Sequence, residues 1–191
     1  MITSKLKRSI RNYFLRMKGS GVCPPRKPLS KIAWSWIGAF LGIYAISICG
    51  QCLKLSAIEN LFLIGSFGAS AVLVYGAPLA EFSQPRNLVG GHIISAVIGV
   101  TVFKLLGDAS MMAGPMAVSM AIAAMHLTRT LHPPGGATAL IAVIGGDKIH
   151  SLGYVYALFP VLVGAVIMLI VALLVNNLSG NPKRHYPVYW A

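Results

Sequence analysis

The chain has 191 residues, the length of a single domain, and 56% of them are hydrophobic while only 10% are charged. That balance and a mean hydropathy of +0.73 exclude an ordinary soluble domain and specify a polytopic membrane protein. The formal net charge of +12 raises nucleic acid as a partner, but the apolar chain behind the basic run assigns the charge to a membrane surface instead, so no nucleic acid is expected.

Residues 1–31 hold nine of the sixteen Lys and Arg residues and no acid. Ile2, Leu6, Ile10, Phe14 and Met17 recur there at helical spacing with basic residues between them. This reads as a helix lying on the cytoplasmic membrane surface against anionic lipid headgroups, with a solvated tail as the alternative. A cleaved signal peptide does not fit, because no short apolar core with a small-residue cleavage site follows. Cys49 and Cys52 have no further ligand pair to make a metal site and read as packing residues in a helix.

Apolar segments follow at 32–53, 58–74, 88–106, 111–127, 136–144 and 154–175. The first and last are long enough for the roughly 20-residue crossing of a hydrocarbon core. The second is rich in Gly, Ala and Ser and the fifth is short, which places both at the centre of a bundle where helices approach closely.

Gly68-Ala69-Ser70-Ala71-Val72-Leu73 aligns with Gly136-Ala137-Thr138-Ala139-Leu140-Ile141, 68 positions later. Each run sits between a longer apolar segment and one with a mid-segment glycine, Gly99 or Gly164. The expected fold is therefore all-α, two three-helix repeats giving six membrane segments over a transmembrane domain at 32–178, closed by an aromatic and basic cytoplasmic tail at 179–191. With six crossings, Arg86, Arg129, Lys183 and Arg184 join the basic N-terminus inside, while Lys54, Glu59, Asp108, Asp147 and Lys148 fall outside. That obeys the positive-inside rule, puts both termini in the cytoplasm and makes the two copies inverted. The alternative is four full spans with two short re-entrant helices.

Inverted repeats with short helices at matching places point to a transporter site near the midplane. Both short helices open on glycine and hydroxyl residues: Ser66, Gly68 and Ser70 in one, Gly135, Gly136 and Thr138 in the other. Bare amides and the positive end of a helix favour a small anion. His132-Pro133-Pro134 stops one segment and starts the next, since proline suits a helix's first turn. Arg86 and Asn87, between Pro85 and Gly90-Gly91-His92, offer a charge and amide donors to an anion, or a plain interfacial anchor in the case of Arg86. His92 is an ionisable residue inside a membrane segment. His126 and Arg129 share a helix face near the interface and rank below His132.

Four acids in the whole chain leave little for a carboxylate dyad or metal cluster. No catalytic residue, metal or cofactor is expected, and a membrane enzyme is a rival that the acid count disfavours.

The run His132 to Leu140 resembles the defining motif of the HPP family of integral membrane proteins. Gln84-Pro85-Arg86-Asn87 with Gly90-Gly91-His92 is similar to its second signature, and Tyr186-Pro187-Val188-Tyr189-Trp190 to its usual end. The resemblance implies nitrite transport, as in cyanobacterial and chloroplast members, and four spans rather than the six read from the repeat. The expected function is a transporter or channel of the cell inner membrane for a small inorganic anion. Nitrite comes from the resemblance, whereas the residues themselves specify only the small anion. Ser66, Gly68, Ser70, Gly135, Gly136 and Thr138 would supply donors, Arg86 and Asn87 would recruit the anion, and His92 and His132 would tune or gate. The rival is a non-transporting scaffold or sensor. Gly-rich faces also permit a homo-oligomer.

Overall fold

The computed structural model describes residues 2–19, 21–52 and 65–191. Lys54, Glu59 and the opening of the second expected segment, 58–64, lie outside them. The described residues are helical, without strands. Helix α1 spans Ile2–Arg16, and its Ile10 and Phe14, with Met17 just beyond, are exposed rather than packed on the bundle.

Helix α2 spans Leu29–Cys52 and starts three residues before the expected segment, because Pro28 pre-sets the first turn and its carbonyl accepts the Lys31 and Ile32 N–H groups. Helix α3 is Gly65–Gly76, α4 is Arg86–Leu106, α5 is Ala113–Leu127 and α6 is Pro134–Ile144. A six-residue helix α7, Asp147–Leu152, occupies what reads in sequence as a glycine turn. Helix α8 is Ala157–Leu178, with extended dihedrals at Phe159 because Pro160 interrupts the ladder.

Three of these helices, α2, α4 and α8, are long and apolar enough to cross a membrane. Eleven residues in α6 reach only about 16 Å of a hydrocarbon core near 30 Å. Of the two central helices expected from the Gly/Ala runs to be short, α6 is short in the structure as well, and the opening of the other lies outside the described residues.

Packing divides the bundle. Helices α4, α5 and α6 contact one another closely, and Ala113, Ala117 and Ala121 form a buried stripe at i, i+4, i+8 on α5. On the other side α2, α3 and α8 pack larger groups, Phe67, Tyr75 and Met168, into one cluster. The mid-segment glycines lie within these halves and join the two sequence copies. A side-chain carbon at Gly99 would strike the Ala139 carbonyl on α6, and one at Gly164 would strike the Phe67 ring on α3. The last long helix of each sequence copy thus lies on the short helix of the other.

Candidate functional site

The first described turn of α3 and the first turns of α6 meet inside the bundle. The Ser66 hydroxyl oxygen lies 3.2 Å from the Pro134 carbonyl oxygen and 2.6 Å from Thr138 Oγ1. Ser66 and Pro134 stand 68 positions apart, the offset of the sequence repeat, so equivalent positions of the two copies touch.

Around that contact gather His92 and His132, both fully buried. His92 enters from α4, about 9 Å along the helix from Arg86 at 1.5 Å per residue. Its Nδ1 lies 2.7 Å from Thr138 Oγ1 and its Nε2 2.8 Å from Ser70 Oγ. Ser70 Oγ is also 2.9 Å from His132 Nε2, and His132 Nδ1 is 2.7 Å from the Phe82 carbonyl. The imidazole centroids are 4.9 Å apart, and the Phe67 ring lies 4.8 Å from that of His92.

These contacts order the protons. A carbonyl only accepts, so His132 Nδ1 carries the hydrogen that reaches Phe82. With neutral rings, His132 Nε2 is then an acceptor and takes the single Ser70 proton at 2.9 Å, in preference to the Ser66 carbonyl at 3.3 Å. Ser70 Oγ accepts in turn from His92 Nε2–H, leaving His92 Nδ1 to accept from Thr138, whose oxygen accepts from Ser66. The result is one directed chain, Ser66–Thr138–His92–Ser70–His132–Phe82, in which every link points the same way.

Two glycines make the close approach possible. A Cβ on Gly91 would sit 2.7 Å from the Thr130 carbonyl and 2.6 Å from His132 Cβ, and one on Gly135 would sit 2.6 Å from Ser95 Oγ. The amides of Gly135 and Gly136 are already bonded to the His132 and Pro133 carbonyls, at 2.8 and 3.1 Å. The visible role of Gly135 is packing, whereas a side-chain carbon at Gly136 would make only an ordinary contact with Val118. Gly68 is half-buried with open space beside it and does not join the chain.

Arg86 and Asn87 lie outside the cluster. Arg86 Nη2 donates to the Thr128 carbonyl at 3.0 Å, and Asn87 Nδ2 donates to the Leu131 carbonyl at 2.8 Å, bracing the residue before His132. Arg86 lines a cavity of about 480 Å³ with Glu81, Arg129 and Tyr189. The carbonyl next to Glu81 is the Phe82 acceptor, so one turn, Glu81–Ser83, separates this cavity from His132. Arg129 has φ +59° and closes α5: Thr130 N–H bonds the Met125 carbonyl and Arg129 N–H that of His126, a position usually given to glycine.

Sequence reasoning missed the terminal acceptor, because any residue at position 82 carries a carbonyl. It also missed the clamp on that turn. The Tyr186 hydroxyl donates to Ser83 O at 2.8 Å, Val188 N–H to Gln84 Oε1 at 2.8 Å and the Tyr189 hydroxyl to Glu81 O at 3.3 Å. Burial raises the Tyr186 pKa above its usual value, which keeps the hydroxyl a donor. The aromatic ending of the chain was the available signal.

Residues 24–187 match the family described as HPP, transmembrane region. A transmembrane protein of Dictyostelium discoideum is 44% identical over 181 residues, covering 93% of this chain and 57% of its own length. A second from the same organism is 42% identical over 190 residues, covering 97% of this chain and 65% of its own. The chain thus spans less than two thirds of the length of these relatives. No solved structure matches it significantly. Among the described residues no group of three His, Cys, Asp or Glu could hold a metal ion.

Proposed function

The chain belongs to the HPP transmembrane family, and from that premise we propose that it is a permease or channel for a small inorganic anion, with nitrite as its substrate. In this reading six membrane segments form two inverted copies, with both termini at the cytoplasmic face of the cell inner membrane. The observation that carries it is the meeting of α3 and α6 at equivalent positions, Ser66 with Pro134. A contact between equivalents suits an axis relating two inverted copies. The N-terminus of α6 brings its positive end to that buried polar point, a setting that favours an anion.

Arg86 and Arg129 form the vestibule, and Arg129 holds its place in a backbone conformation that disfavours side chains. The Glu81–Ser83 turn is the gate, and beneath it Ser70, His92, His132 and Thr138 pass the anion or its accompanying proton. The exposed apolar face of α1 supports the reading of that helix as resting on anionic lipid.

Thermal unfolding of the detergent-purified protein tests this against nitrite, nitrate, formate and chloride at matched ionic strength. Nitrite is expected to raise the midpoint, and the rise should disappear in Arg86→Ala and Ser70→Ala. No rise with any anion would reject the site.

A scaffold or sensor is the second reading. It draws on the complete internal pairing of the buried cluster and on the spent Gly135 and Gly136 amides, and it predicts no anion-dependent shift.

A further inference from the structure

A separate cavity of about 410 Å³ lies between the start of α2, the loop after α3 and the C-terminal tail. Lys27, Lys31, Lys183 and Arg184 line it, with Ile32 and Leu79 among its apolar walls, and no carboxylate among the described residues does. Arg184 is only 3% exposed. Its Nη2 donates to the Tyr75 carbonyl at 2.7 Å, and its Nη1 donates to the Lys31 carbonyl and Ser35 Oγ at 3.3 and 3.2 Å. All three acceptors are neutral, and Nε–H has no acceptor among the described residues.

A buried guanidinium held by neutral groups keeps its charge uncompensated, which is costly without an anion nearby. Burial lowers the Arg184 pKa from its usual value, the mark of that cost. Three lysines add mobile point charges without the planar fork that selects carboxylates, and such a set suits a compact oxyanion carrying one to two charges. The volume exceeds that of a lone small anion and leaves room for the group to which it is attached.

We propose that this cavity binds a phosphate-bearing anion, which ties α2, the loop after α3 and the tail together at the end of the bundle that carries the basic N-terminal segment. The phosphate can belong to an anionic lipid headgroup or be free. The site is distinct from the Arg86 vestibule, and nothing in it depends on the transported anion.

The test is thermal unfolding of the full chain in detergent after lipid removal. The probes are dioctanoyl phosphatidylglycerol, dioctanoyl phosphatidylcholine and sodium phosphate, each matched in ionic strength with sodium chloride. At saturation, phosphatidylglycerol is expected to raise the midpoint by roughly 5 °C. The double variant Lys27→Gln/Lys183→Gln, which changes two exposed side chains, should lose most of that rise, and Arg86→Ala should keep it. An equal rise with sodium phosphate identifies the free anion as sufficient, and a rise with the lipid alone identifies the headgroup. The proposal is overturned if neither probe acts, if phosphatidylcholine acts equally well, or if the double variant responds like the parent. A failed nitrite response in the same assay leaves these outcomes unchanged, because the variants that report on the two sites differ.

Discussion

The two polar regions of this molecule are built in opposite ways. In the buried chain from Ser66 to Phe82 each hydroxyl and ring nitrogen finds a partner in the protein and no charge is needed. In the cavity around Arg184 four cations stand together and one guanidinium nitrogen, Nε, has no partner among the described residues. Closed neutral networks lose heavily when one member is removed, because the neighbours are stranded. An open cationic set loses little stability and much affinity. Stability and ligand response should therefore separate between the two regions.

The largest effect is expected at His132. His132→Leu preserves most of the volume but strands the Phe82 carbonyl and removes the shorter acceptor of the Ser70 hydroxyl, costing about 3 kcal/mol and lowering the unfolding midpoint by roughly 6–12 °C. A midpoint within a degree of the parent would mean that the chain carries no stability. Next come the glycines. Gly91→Ala meets the Thr130 carbonyl and His132 Cβ and should destabilise by about 1–3 kcal/mol. Gly68→Ala, with nothing nearby, should be neutral or stabilising by up to about 1 kcal/mol through helix propensity. Chemical or thermal unfolding of the pair separates packing from composition.

Arg129→Gly sharpens the comparison differently. It relieves the left-handed backbone, so stability should rise by about 1 kcal/mol, while loss of a vestibule cation should slow uptake at low anion concentration. A gain in both would remove Arg129 from the pathway. The smallest effect is expected from Lys27→Gln/Lys183→Gln, within about 0.5 kcal/mol in the absence of a phosphate-bearing ligand. A larger loss would mean that the lysines, like the buried chain, are structural.

Much of this arrangement was legible in the sequence. The short α6 followed from its Gly/Ala content, and Pro134 at its first turn from proline's missing N–H. Ser66, Ser70, His92, His132 and Thr138 were all named from residue type, and the structure brings them together. Arg86 and Asn87 were named for the same reason but face Thr128 and Leu131, because charge and amide content say nothing about direction. The glycine amides of α6 were read as free, whereas the turn at His132-Pro133 consumes them. Backbone partners such as Phe82 and Tyr75 leave no mark in side-chain chemistry. The role of Arg184 required knowing that a residue 109 positions from Tyr75 returns to its carbonyl.

The most direct measurement is nitrite uptake into proteoliposomes holding the purified full chain, beside Ser70→Ala reconstituted to the same density. Ser70→Ala cuts the chain between the two histidines with the least change in volume. Uptake above protein-free vesicles, lost in Ser70→Ala, is the expected result. Uptake no faster than in empty vesicles would contradict the permease reading, and equal uptake by both proteins would remove the buried chain from the transport path.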